Sequence, residues 1–406
     1  MRTCEGRLAC GLAARERLVR VALVGPYPRD LSRVGGGVET SLTYVASGLS
    51  RLADVEPAVV TFAPGLDEPT RTTVDGIAVL YLPETRRLGN VTLREAERRR
   101  LQRALADLQP DVVHAQDALR YGYLSLRATS APVAVSVQGV VREEVKYAQS
   151  RAARAHLRLV GVSMQRYCIR HARLLITSTP YAAEYFGRDV RGRIVDIRNP
   201  IGDRFFDIDP APEPGRTLYA GAVIPRKRLV DLVEALSRVV DAVPTARLRV
   251  AGPERDRTYA ARVRTRVQEL GLEARVDFLG DTSPELLADE YRHASVFCLP
   301  SGQETSPLSI GEAMAAGLPV VAARAGGVAY LVDEGVTGYV TQPGDVAALA
   351  DRLSILLRDP GIARTMASAA RAAAERSFRV EVVATRLRDT YGELRLAVER
   401  EPRARG

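Results

Sequence analysis

Residues 296–323 read VFCLPSGQETSPLSIGEAMAAGLPVVAA. Val296-Phe297-Cys298-Leu299 is an apolar run short enough for a buried strand, and Pro300-Ser301-Gly302 stops it. Ser306 stands where a helix N-cap is expected and Pro307 at the first helical position. Good helix formers fill 308–316, and Gly317 with Pro319 closes the segment before a second apolar run. The pattern predicts strand, loop, short helix, strand. In an open α/β sheet such a loop faces the ligand crevice, and the N–H groups of Leu308 and Ser309 at the helix start make a seat for an anion such as phosphate. Two carboxylates frame that seat, Glu304 before the helix and Glu312 along it. Eight helical residues would set them roughly 12 Å apart at 1.5 Å per residue, a spacing for holding two ends of a long ligand rather than for sharing one proton.

Glu304, seven residues and Glu312, followed by Ala-Met-Ala-Ala-Gly-Leu-Pro-Val-Val-Ala, resembles the Glu-x7-Glu signature of the family 4 retaining glycosyltransferases. The resemblance implies an α/β chain of GT-B fold, two Rossmann-like parallel-sheet domains facing each other across a cleft.

A chain of 406 residues, 46% apolar and 26% charged, is globular and fits two domains of about 200 residues. No stretch of eighteen uncharged apolar residues is present, so no transmembrane helix is expected. Residues 1–17 carry Arg and Glu where a signal sequence would be apolar, so a cytoplasmic protein is expected. Cys4, Cys10, Cys168 and Cys298 have no paired spacing and read as reduced thiols, neither a disulfide frame nor a zinc site. The net charge of +9 is compatible with nucleic acid, anionic lipid or an anionic substrate. Few aromatics and no nucleic-acid motif rank nucleic acid last. Nearly all of the positive charge is Arg, the only lysines being Lys146 and Lys227.

Residues 18–25 predict a first strand. The following loop reaches Gly35-Gly36-Gly37 before a helical pattern at Leu42, Val45, Ala46 and Leu49. A dinucleotide-binding Gly-x-Gly-x-x-Gly would follow the strand at once, which this one does not. The glycines let backbone come close to a ligand at a helix N-terminus, and Gly-Gly-Val-Glu resembles the family loop that approaches the donor diphosphate. Further strands are expected at 58–63, 77–82, 112–115, 133–137 and 174–177. The segment from Asp111 to Asp117, Asp-Val-Val-His-Ala-Gln-Asp, resembles a family strand end whose second His is Gln116 here, and it offers His114 and Asp117 for the acceptor side, with His114 read equally as a hydrogen-bonded strand-end imidazole. Relatives commonly carry His-Gly where this chain has Gln138-Gly139. Gln138 cannot carry a proton at neutral pH, so it is given a place beside the transferred sugar but not the role of base. Residues 142–173 hold eight basic side chains against two acidic ones, with Arg151, Arg154 and Arg158 on one helical face. That face suits an anionic lipid surface or a lipid-diphosphate acceptor, or is simply a solvated one.

Residues 201–216, rich in proline and acid, read as a linker. Its Asp207-Ile208-Asp209 is discounted as a metal triplet because it lies in a connector. A second strand–helix series begins at 217. There Gly221-Ala-Val-Ile-Pro-Arg-Lys resembles the family's Gly-x-x-x-Pro-x-Lys, whose basic residue meets the donor diphosphate, so Lys227 comes first and Arg226 second. Residues 379–399 predict a last helix packing back on the first domain.

The domain expectation is therefore an extension 1–17, an acceptor-side domain 18–200, a linker 201–216, a donor-binding domain 217–378, and a returning helix with tail 379–406. By resemblance, Glu304 holds the donor sugar, Glu312 the ribose, Lys227 and Arg226 the diphosphate, and Gly36, Gly37, Ser306, Leu308 and Ser309 its surroundings. The implied reaction moves a hexose, with retention, from a nucleoside-diphosphate sugar to a saccharide, lipid-linked or small-molecule acceptor. No cofactor and no metal are implied. Polysaccharide or glycolipid assembly at the inner face of a membrane is the expected setting. A sugar-nucleotide epimerase or hydrolase and a non-catalytic sugar-nucleotide binder stay open as alternatives.

Overall fold

The protein is described here from a computed structural model covering residues 18–31, 34–85 and 94–400. The extension 1–17 with Cys4 and Cys10, and tail residues 401–406, lie outside the described residues.

Eight strands form the first sheet: β1 (Val19–Val24), β2 (Val55–Ala63), β3 (Thr70–Val74), β4 (Ile77–Pro83), β5 (Val112–Ala115), β6 (Val133–Val137), β7 (Leu174–Thr177) and β8 (Arg193–Asp196). Their order is β3-β4-β2-β1-β5-β6-β7-β8, and every pairing is parallel except β3 with β4. The second sheet holds β9 (Arg216–Ala220), β10 (Arg247–Ala251), β11 (Val276–Gly280), β12 (Val296–Leu299), β13 (Val320–Ala323) and β14 (Gly338–Thr341), in the order β11-β10-β9-β12-β13-β14, all parallel. Numbered within its own sheet, that order is the doubly wound 3-2-1-4-5-6, whose ligand crevice opens where the winding reverses, beyond the carboxyl ends of the first and fourth strands. In the second sheet those strands are β9 and β12, and the reversal in the first sheet falls between β1 and β5.

Residue type accounts for these elements. Helices cover both faces of a parallel sheet, so its inner strands are apolar throughout, and every residue of β12 and β13 is buried. The unexpected β3 is a polar, exposed edge strand joined to β4 through Asp75-Gly76, both at positive φ, the Asp-Gly signature of a tight hairpin. The 201–216 segment does not behave as a free linker. Phe205, Phe206 and Ile208 are buried in the core of the second domain, because two adjacent phenylalanines gain more from burial than the flanking prolines cost in regular structure.

The chain crosses between domains twice, side by side. Ile201 pairs with Arg379, and the Ile201 N–H donates to the Phe378 carbonyl at 2.8 Å. After the second crossing, helix Val380–Arg400 lies on the first domain, where Val383, Leu387, Tyr391 and Leu394 join the core beneath β1 and helix Gly37–Ser50. Among the described residues no helix is long and apolar enough to cross a membrane.

Candidate active site

The loops beyond β9 and β12 meet at the switch point. After β9, a 3-10 turn, Pro225–Lys227, and Arg228 at φ 52° swing two cations toward the β12 loop. Lys227 Nζ lies 2.6 Å from Glu304 Oε1, and Arg226 Nη1 lies 3.3 Å from Oε2. Arg226 also donates to the Gln303 carbonyl at 2.8 Å, and the Gly302 N–H donates to the Arg226 carbonyl at 2.8 Å. The Glu304 side chain is 7% exposed and that of Lys227 12%. Burial pushes the Glu304 carboxyl up, but Lys227 and Arg226 outweigh it and hold it below the ordinary carboxylate value. The backbone behind is fixed as tightly. Gly326, at φ 54°, and Gly327 lie on the carbonyls of Glu304 and Thr305 so closely that any side chain there would collide.

Glu312 is also buried, and the Tyr291 hydroxyl donates to its Oε2 at 2.9 Å. Burial dominates, raising its carboxyl to about 7 against the opposing pull of Tyr291, Arg204 and Lys227. Lys227 thus acts electrostatically on both carboxylates. The helix between them, Leu308–Ala315, starts one residue later than the sequence suggests. Pro307, at φ −68° and ψ 121°, is itself the N-cap, and Ser306 makes no capping bond. A residue before proline is held out of the helical region, and proline, lacking an N–H, fits a position whose N–H needs no helical partner. Leu308 and Ser309 remain in the first turn, half-buried, and Ser306 is half-buried in the loop before it.

The first domain closes on this face. Helix Gly37–Ser50 begins at the glycine loop, and a Cβ at Gly37 would stand 3.8 Å from Leu308. Gly36 is its N-cap, Arg255 from the loop after β10 donates to the Gly35 carbonyl, and Gln149 donates to Asp256 at 3.0 Å. Thr179 Oγ1 donates to the Thr305 carbonyl at 2.9 Å, and Tyr330 hydroxyl donates to Glu184 at 2.6 Å.

Gln138, at the end of β6, is half-buried and donates to Gln116 Oε1 at 3.2 Å. The two positions at which the chain departs from the family's histidines therefore bond each other. Glu144, for which no local motif speaks, stands against Gly139. Burial raises its carboxyl, Arg226 opposes the shift and Glu304 adds to it, so it faces the same site from the first domain.

His114, read as either an acceptor-side group or a hydrogen-bonded strand-end imidazole, is the latter in its bonding, and the polar atoms of both His114 and Asp117 are taken up within the first domain. His114 is fully buried between Tyr391 Oη at 2.6 Å and Ser136 Oγ at 2.8 Å, and burial lowers its pKa to about 4. Asp117 Oδ1 accepts from the N–H groups of Leu119, Tyr121 and Gly122 at 2.9–3.2 Å and so anchors the start of helix Arg120–Ala128. His114 lies in β5 and Asp117 just beyond its end, where local backbone and packing demands take up their polar atoms. Among the described residues no group of three or more His, Cys, Asp or Glu could hold a metal.

Two doubly wound domains facing each other, with two cations and two carboxylates gathered at the switch point of the second, have the GT-B architecture. The model of the glycosyl transferase 4-like domain matches residues 36–200, and that of glycosyl transferases group 1 matches residues 203–373. The chain belongs to the family 4 glycosyltransferases. It is 35% identical to a D-inositol 3-phosphate glycosyltransferase of Corynebacterium efficiens over 178 residues, 43% of this chain and 42% of that protein. It is 26% identical to a phosphatidyl-myo-inositol mannosyltransferase of Mycobacterium leprae over 386 residues, 92% of this chain and 96% of that one. The first of these alignments spans less than half of the relative's length. In fold it resembles a sucrose-phosphate synthase from Thermosynechococcus elongatus, with a TM-score of 0.77 at 23% identity, covering 93% of this chain and all of that one.

Proposed function

We propose that this protein transfers a hexose from a nucleoside-diphosphate sugar to an acceptor hydroxyl with retention of configuration. The buried Lys227–Glu304–Arg226 cluster at the switch point carries the reading. In it, Lys227 and Arg226 turn from Glu304 to the incoming diphosphate, whose negative charge grows as the glycosidic bond breaks, and the amides of Leu308 and Ser309 add their dipoles. Glu304, relieved of its cations, accepts hydrogen bonds from the sugar hydroxyls, and Glu312 accepts from the ribose. The anomeric carbon's bond to the phosphate oxygen breaks while its bond to the acceptor oxygen forms on the same face. The acceptor's proton passes to the departing phosphate oxygen, so no protein base is required and Gln138 is tolerated. These cations and amides supply the leaving-group stabilisation, and the reading assigns no cofactor. The full-length similarity to a phosphatidyl-myo-inositol mannosyltransferase favours an acceptor of glycolipid or polysaccharide type, met by a protein lying at a membrane surface.

A thermal-shift screen of uridine, guanosine and adenosine diphosphate sugars, followed by product analysis with an acceptor panel, tests this. A shift with one donor, and a product whose anomeric configuration by NMR matches that donor, is expected. Inverted product, free sugar alone or an isomerised nucleotide sugar would each replace the reading.

A further inference from the structure

The segment between Gln138 and Gln149 has two working faces. Inward, Glu144 stands on Gly139 within the electrostatic field of Arg226 and Glu304, and the Tyr147 hydroxyl lies against Gly302. Outward, Arg142, Val145 and Lys146 line a groove of about 500 Å³ whose opposite wall is Arg154, Arg158 and Val162. That wall is the helix Arg151–His156, none of whose residues is buried, which widens into a π-turn at Leu157–Gly161 before continuing as Val162–His171. Insertions of this kind cluster at functional sites. Here the turn leaves the arginines standing off the domain, while buried Gly161 packs on Val141.

The charges in the groove are not balanced. Lys146 pairs with Glu143, whereas Arg142, Arg154 and Arg158, all exposed, have no carboxylate partner among the described residues. Four cations around two valines repel one another, and guanidinium forks match phosphate oxygens in pairs. The donor's diphosphate is already provided for by Lys227 and Arg226 on the other domain. The groove opens on the acceptor-side domain, one short helix away from the reaction centre.

We propose that this groove seats a phosphate or diphosphate group carried by the acceptor, an inference that rests on the transfer reaction above. The test titrates inorganic pyrophosphate into Lys227→Ala protein, in which the donor-side cations are weakened, with and without Arg154→Ser and Arg158→Ser. Saturable binding that persists in Lys227→Ala and falls at least about tenfold in the triple variant is expected. Arg154→Ser with Arg158→Ser alone keeps the melting temperature and the shift given by nucleoside diphosphates, since both side chains are exposed. Flotation with phosphatidylglycerol and phosphatidylcholine vesicles separates the two sources of phosphate. Binding to the anionic vesicles that pyrophosphate displaces marks a lipid headgroup, and pyrophosphate binding without vesicle binding marks a soluble acceptor. Pyrophosphate affinity indifferent to Arg154 and Arg158 overturns the proposal, as does vesicle binding that pyrophosphate cannot displace, which marks a plain membrane-adhesion face. Retained groove binding with no response to any nucleoside diphosphate would keep the phosphate site and remove the transfer reading.

Discussion

Lys227 sits 2.6 Å from a carboxylate that is almost wholly out of water, so removing it leaves a buried charge with only Arg226 to answer it. Breaking such a pair costs several kcal/mol when nothing remains, and with Arg226 in place roughly 2 kcal/mol is expected for Lys227→Ala. Adding Glu304→Gln restores most of the stability in chemical denaturation but not the donor-induced thermal shift, because the diphosphate still lacks its cation. A double variant that binds donor normally would remove Lys227 from the site. Glu312 gives a different signature. Its folded-state pKa of about 7 lies above the unfolded value, so the free protein binds an extra proton between about 4.5 and 7, and Glu312 makes it less stable as pH rises through that window. In the proposed role of Glu312 at the ribose, the ionised form is the better acceptor for the two hydroxyls, so nucleoside-diphosphate affinity is expected to rise between pH 6 and 8, and Glu312→Gln to flatten the profile in calorimetric titrations.

Among the elements, β5 and helix Val380–Arg400 are locked together by the His114–Tyr391 hydrogen bond of 2.6 Å. The folded pKa of His114, about 4, lies below its unfolded value of about 6.5. The stability it permits is complete above 6.5 and is lost as pH falls toward 4, by about 3 kcal/mol for the whole shift. His114→Gln should lower the melting temperature near neutrality yet weaken its further fall between pH 6.5 and 4; an unchanged acid slope would show that His114 is not the sensor. Elements with local signals were readable in the sequence. The apolar runs of β12 and β13 show themselves within a few residues, and the short motifs that follow β9 and β12 carry the family resemblance by which Lys227, Arg226 and Glu304 could be singled out. Partnerships between distant elements were not readable. Nothing near Gln138 in the chain announces Gln116, 22 residues earlier, as its partner. Tyr291 gives no sign that it will bond Glu312, and Glu144 becomes part of the site only through the charges of the facing domain, Arg226 and Glu304. The prolines of 201–216 spoke for a linker, while Phe205 and Phe206 decided for the core.

At the scale of the molecule, the first domain is completed by residues that follow the second. Val383, Leu387, Tyr391 and Leu394 together contribute about 8 kcal/mol of apolar burial, at about 2 kcal/mol each, comparable with the whole net stability of many domains. A chain ending at Ser377 should therefore keep a cooperative unfolding transition for the second domain in calorimetry and lose that of the first; two intact transitions would refute the dependence. The same arrangement sets a timetable for biosynthesis. At translation speeds of about 5–20 residues per second, the roughly 180 residues separating β8 from the returning helix take on the order of 10–40 s to polymerise. For all that interval the newborn first domain waits with a greasy flank uncovered, and it matures only once the returning helix has left the ribosome.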